Sequence, residues 1–235
     1  MIEAEWLDHD TTAEMADAVV GDVGFVIAAA LESRGEALVA LPGGRSPAPI
    51  FERLAAAPID WRDVTIIPTD DRLVAADSPL SNVAMIARHF EPKGARVLPL
   101  TLDGDSDYRT AGKIADAQLS GLNWPLDLVW LGVGVDGHTA SIFPGPDLEN
   151  ALDGPPARKA VGVMPDPLPP EAPFARVTLS RAGIVSSRIL LLTCSGAEKR
   201  AVVERALEDG PLSATPIGRV LAAAKSPIYV HWSAT

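Results

Sequence analysis

The sequence predicts an α/β protein, a single-domain α/β/α sandwich built on a mainly parallel sheet. Short apolar runs alternate with segments whose apolar residues recur at helical spacing. Most of those runs are hydrophobic nearly throughout, as strands covered on both faces must be. No linker, low-complexity tract or internal repeat divides the 235 residues, and one domain spanning 1–235 accommodates that length.

The first helix is the clearest element. Thr11 and Glu14 make a capping box, Met15, Val19, Val23, Ile27 and Leu31 recur every fourth residue, and Gly35 stops the run. Strands are expected at Ala37 to Leu41, Val64 to Pro68, Val97 to Leu100, Leu126 to Leu131, Arg176 to Leu179, Ile189 to Cys194 and Ile228 to Trp232. Helices are expected at Pro47 to Ala55, Ser81 to His89, Asp107 to Leu119, Ala197 to Glu208 and Pro216 to Ala223. The proline-rich stretch from Asp153 to Pro173 reads as an extended connection or flap.

Composition narrows the function. The 47% hydrophobic and 22% charged content is ordinary for a globular chain, and no apolar run approaches the roughly 20 residues of a membrane span. The opening MIEAEWLDHD lacks the basic start and apolar core of a secretory signal, and Cys194 has no second cysteine to pair with, so a cytoplasmic setting is expected. With 31 acidic against 20 basic residues and a net charge of −11, nucleic acid is not an expected partner. An anionic ligand would need a locally basic pocket. His9, His89, His138 and His231 share no metal-ligand spacing, and no metal site is expected.

Open α/β sheets bind ligands at the carboxyl ends of their strands. Four strand ends here carry glycine-rich or charged sequence. In Pro42-Gly43-Gly44-Arg45-Ser46-Pro47 the glycines let backbone N–H groups approach an anion, Ser46 adds a hydroxyl, and Pro47 starts a helix whose positive end follows. An empty strand-to-helix turn explains the same residues, and the Walker lysine is missing. In Thr69-Asp70-Asp71-Arg72, two carboxylates and a guanidinium can hold sugar hydroxyls or meet developing negative charge; taken alone they are also solvated loop charges. Ser81 and Asn82 downstream are sufficiently explained as caps.

The third strand end, Leu128 to Pro144, delivers Asp136 and His138 into a tight turn. A histidine there can do proton chemistry near neutral pH, and a carboxylate two residues away can orient it. Gly132-Val133-Gly134-Val135-Asp136-Gly137 also matches a dinucleotide fingerprint, but Phe143 to Pro146 interrupt the helix it should open, which makes dinucleotide binding a minor alternative. The fourth end, Thr193 to Arg200, puts Lys199 in the first turn of a helix, where a cation opposes the macrodipole unless an anion compensates. A solvated surface lysine is the plain alternative. Cys194 reads as a small buried apolar residue.

Together these segments resemble the 6-phosphogluconolactonases, within the group that includes glucosamine-6-phosphate deaminases/isomerases. The marks are Gly43-Gly44-Arg45-Ser46-Pro47, Thr69-Asp70-Asp71-Arg72 with Ser81-Asn82, Gly132 to Pro144, Arg176-Val177-Thr178-Leu179, and Gly196-Ala197-Glu198-Lys199, in the family's order. The resemblance implies a Rossmann-like fold of the NagB/RpiA/CoA-transferase type, and hydrolysis of 6-phospho-D-glucono-1,5-lactone without metal or organic cofactor. On that reading His138 is the general base, Asp136 orients the site, and Arg72 meets the oxyanion. Asp70 and Asp71 hold hydroxyls or position Arg72. Gly43, Gly44, Arg45 and Ser46, with Lys199 and Arg176, receive the phosphate. The phosphorylated lactone is the expected partner, and a monomer or weak homodimer the expected assembly.

Arg45 stands where the family has a small serine, Pro42 where serine is common, and Asp71 where glutamate is usual. In the related isomerases a glutamate lies five residues after the histidine; here that position is Phe143, which favours lactone hydrolysis over ring-opening isomerisation. A non-catalytic sugar-phosphate sensor would have no need of Asp136, His138 and Arg72 together.

Overall fold

The computed structural model describes residues 2–102 and 107–235. Its strands are β1 (Glu5–His9), β2 (Ala37–Leu41), β3 (Val64–Pro68), β4 (Asp70–Arg72), β5 (Arg96–Val97), β6 (Leu128–Gly132), β7 (Ala160–Val163), β8 (Arg176–Leu179), β9 (Leu190–Ser195) and β10 (Ile228–Ser233). The helices are α1 (Thr12–Arg34), α2 (Ala48–Ala55), α3 (Asn82–Phe90), α4 (Tyr108–Ser120), α5 (Leu148–Leu152), α6 (Arg181–Val185), α7 (Ala197–Asp209) and α8 (Pro216–Leu221).

Seven strands form a wholly parallel sheet in the order β1-β10-β9-β6-β2-β3-β5. Both faces are covered, which is why the central strands read as unbroken apolar runs. Val39, Leu41, Leu128 and Trp130 pack with α1, α2 and α3, while Leu38, Ala40, Val129 and Leu131 pack with α4, α7 and α8. The Oγ of Thr11 accepts the Glu14 N–H as expected, but the Glu14 carboxylate takes the N–H of Asp10 rather than that of Thr11.

The structure departs from expectation in a second sheet, antiparallel, ordered β4-β8-β7. Arg176 to Leu179 belongs to it and not to the parallel sheet. β4 is made of Asp-Asp-Arg, which no apolar pattern could reveal, and β7 lies inside the proline-rich stretch read as a flap. Thr69 joins the two sheets: its N–H donates to Leu41 of β2, and its carbonyl accepts from Leu179 of β8. β1 was unforeseen as well, since an edge strand spelled Glu-Trp-Leu-Asp-His carries no apolar run. The strand expected over Val97 to Leu100 shortens to Arg96–Val97, and the short helices α5 and α6 were unforeseen.

Candidate active site

The carboxyl ends of β2, β3, β6 and β9 and the second sheet surround a cavity of about 320 Å³. Gly43, Gly44, Arg45, Ser46, Asp70, Arg72, His138, Arg176 and Lys199 all line it, together with Asn82 and Ser195. Of the expected site residues, Asp71 and Asp136 stand behind the lining.

His138 is held by its own turn. Asp136 Oδ1 lies 2.6 Å from the ring Nδ1 and also accepts the His138 backbone N–H at 3.1 Å. The bond from the imidazole holds the Asp136 carboxyl below the usual carboxylate range, so it is ionised and the shared proton resides on Nδ1. In the neutral ring Nε2 then carries the lone pair. Gly134 makes the arrangement possible, because a Cβ there would fall 2.2 Å from His138 Nδ1 and 2.4 Å from Asp136 Oδ1. The exit from the turn is pinned twice: the Thr139 hydroxyl donates to Gly132 O at 2.8 Å, and the Ser141 N–H donates to Thr178 Oγ1 at 3.1 Å. Between these anchors Ala140 adopts φ 49°. The Phe143 ring then folds back to stack on the imidazole.

Of the two tasks expected of Asp71, its place suits positioning Arg72 and not holding a hydroxyl. It is fully buried and accepts the backbone N–H groups of Arg72, Asn82 and Val83 and the hydroxyl of Ser81, so it braces the start of α3 instead of facing a ligand. Burial pushes its carboxyl above the usual range, although the three N–H donors pull the other way. Asp70 does reach the cavity wall, where it accepts the Ser141 hydroxyl at 2.6 Å and that of Thr69 at 3.1 Å.

Asn82 is more than a cap. Its side-chain carbonyl accepts from Arg72 at 2.7 Å, and its amide donates to the Asp70 carbonyl at 2.7 Å. A Cβ on Gly43 would lie 1.9 Å from that amide group, so the first glycine of the Gly-Gly turn makes room for Asn82. Ser81 is the cap. Asn82 and Ser141 are the site residues that residue-by-residue reasoning missed; the signal was their presence inside the family-like strings around them.

Arg72 and Arg176 lie directly opposite each other in the β4–β8 ladder. Like charges so placed repel. Arg72 donates to the carbonyl of Leu80 and to Asn82, and Arg176 to the Ser141 hydroxyl and the carbonyl of Ala172. Both Nε atoms are buried without a partner. Among the described residues neither guanidinium has a carboxylate within ion-pair distance. Burial pulls the Arg176 pKa below its usual value, with Asp70 opposing. Two partly desolvated cations facing one cavity make it receptive to negative charge.

The opposite wall uses backbone. Of the helices with eight or more residues among those described, α1, α3 and α4 are capped by the side chains of Thr11, Ser81 and Asp107, whereas α2 and α7 have no side-chain cap. Those two begin at the cavity, after Arg45-Ser46-Pro47 and after Ser195-Gly196. Their N–H groups and positive dipole ends are open to an anion, with Lys199 beside them. Arg45 and Ser46 are exposed at the mouth. Cys194 lines the floor, and burial pushes its thiol up to about 11, so it remains protonated. Among the described residues no cluster of three or more His, Cys, Asp and Glu is placed to hold a metal ion, and no helix is long and apolar enough to cross a membrane.

Comparison with known proteins agrees with this geometry. Residues 10–230 match the family described as glucosamine-6-phosphate isomerases/6-phosphogluconolactonase. The chain is 37% identical to a 6-phosphogluconolactonase of Mesorhizobium japonicum, over 97% of this chain and 94% of that one. It is 35% identical to one of Pseudomonas putida, over 93% and 91%. A crystal structure of a 6-phosphogluconolactonase from Shewanella baltica superposes with a TM-score of 0.89 at 34% identity, covering 99% of this chain and 98% of that one. The chain therefore belongs to the glucosamine-6-phosphate isomerase/6-phosphogluconolactonase family.

Proposed function

We propose that this protein hydrolyses 6-phospho-D-glucono-1,5-lactone to 6-phosphogluconate, with His138 as general base. The observation that carries the reading is the Asp136–His138 pair, whose ring lines the same cavity as the two uncapped helix starts and Lys199. The relatives named above bear the same activity in their names.

The phosphate rests against the N–H groups of Gly44 to Ser46 and the start of α7, with Lys199 beside it. That leaves the lactone ring toward the second sheet. A water gives its proton to Nε2 of His138 while its oxygen bonds to the lactone carbonyl carbon, and the imidazolium is stabilised through Nδ1–H by ionised Asp136. The carbonyl electron pair moves onto oxygen, where Arg72 meets it. As the carbonyl re-forms, the bond to the ring oxygen breaks, and His138 returns the proton to that oxygen. The carboxylic acid so formed loses its remaining proton to solvent, which leaves a carboxylate at the arginine end. Arg176, expected with the phosphate, is reassigned to this end because it opposes Arg72 and touches Phe143. Phe143 supplies no charge to help a histidine through sugar ring opening, which sets the isomerase reaction aside.

The test is to generate the lactone in situ with glucose-6-phosphate dehydrogenase and follow its disappearance with and without the protein. Acceleration over spontaneous hydrolysis is expected. Release of ammonia from glucosamine 6-phosphate in a parallel arm, with no acceleration in the first, would move the assignment to the isomerase branch.

A further inference from the structure

Phe143 stands where the related isomerases have a carboxylate. Its contacts say more. The ring stacks on the His138 imidazole with centroids 4.2 Å apart and planes 25° from parallel. The same ring carries the Arg176 guanidinium 5.1 Å from its centroid. Arg176 is only 5% exposed and has no carboxylate partner among the described residues, so this ring is part of what makes its burial tolerable. A benzene ring presents negative potential from its face, and an imidazole becomes a cation when it takes the proton of the attacking water.

Resting on the lactonase reading, we propose that Phe143 is a positioning residue whose ring stabilises the imidazolium formed on His138 and fixes that ring relative to Arg176. The contribution appears only as positive charge develops, so it favours the transition state over bound substrate and belongs in kcat rather than KM. The charged groups around His138 are Asp136, paired with it in its own turn, and, lining the cavity, Asp70 and Arg72 on β4, Arg176 on β8, Lys199 on α7, and Arg45 before α2. Of these only Arg176 touches the ring, so a change in His138 behaviour on replacement reports the ring together with the guanidinium it carries.

The experiment replaces Phe143 with pentafluorophenylalanine, which keeps the shape and inverts the face potential, and in a second variant makes Phe143→Leu. Two readouts are taken: the titration midpoint of the His138 ring by NMR, and kcat with KM for the lactone. In the fluorinated protein the midpoint should move to lower pH by about 0.4 to 1.5 units and kcat should fall about 2- to 30-fold, with KM within about twofold. A fluorinated protein that titrates and turns over like wild type overturns the proposal, whatever the leucine variant does. The titration does not depend on turnover. A wild-type protein without lactonase activity would therefore refute the functional reading, while the midpoint still decides whether the ring stabilises the imidazolium.

Discussion

The two ends of the cavity are built in different ways. At the His138 end each reacting side chain has fixed partners: Asp136 and Phe143 hold the imidazole, and the side chains of Asn82 and Ser141 with the carbonyls of Leu80 and Ala172 hold the two arginines. At the opposite end the parts are backbone N–H groups at two uncapped helix starts, a lysine without a hydrogen bond or ion pair among the described residues, and an exposed arginine and serine. Moving a proton demands an atom in one place. Holding a dianion demands positive potential, which helix ends and a flexible lysine supply over a broader region. Precision is concentrated where chemistry occurs, and open N–H groups with unpaired positive charge where binding occurs.

Mutations can break this division. The largest effect is expected for His138→Ala: steady-state kinetics should show kcat lower by about 10² to 10⁴, with 6-phosphogluconate affinity within a few-fold by calorimetry. An unchanged kcat would remove the general base. Arg72→Ala should lower kcat by about 10² to 10³ through loss of oxyanion stabilisation, and a loss confined to KM would place Arg72 with the phosphate instead. Asp71→Asn turns one acceptor oxygen into a donor facing a backbone N–H or the Ser81 hydroxyl; denaturant unfolding should show a loss of about 1 to 3 kcal/mol. If Asp71→Asn is as stable as wild type yet inactive, Asp71 belongs to the chemistry. Lys199→Ala should raise KM about tenfold with kcat little changed. Arg45→Ala, at the exposed mouth, should change KM by no more than about threefold.

Much of the parallel sheet was legible, because strands buried on both faces leave apolar runs and α1 leaves a four-residue period. Of the antiparallel sheet only β8 was, at Arg176 to Leu179. Asp70, Asp71 and Arg72 form a strand through hydrogen bonds that their letters do not announce, and Ala160 to Val163 was hidden among prolines. In the site, the Asp136–His138 pairing was readable because both residues lie in one turn. What escaped was long-range: the role of Asn82 depends on Arg72 ten positions earlier, and Arg176 reaches the His138 end through Ser141 and Phe143 on a different loop. Which of its two expected tasks falls to Asp71 was not legible, because a buried carboxylate bracing Arg72 and α3 and an exposed one awaiting a sugar look alike in sequence.

The most direct test of the division is one kinetic comparison, with kcat/KM of the His138→Ala and Lys199→Ala proteins measured on both the phosphorylated lactone and unphosphorylated glucono-1,5-lactone. If the two ends are separate, His138→Ala loses a similar factor on both substrates and Lys199→Ala loses activity on the phosphorylated lactone alone. Equal loss on both substrates by Lys199→Ala would contradict the account.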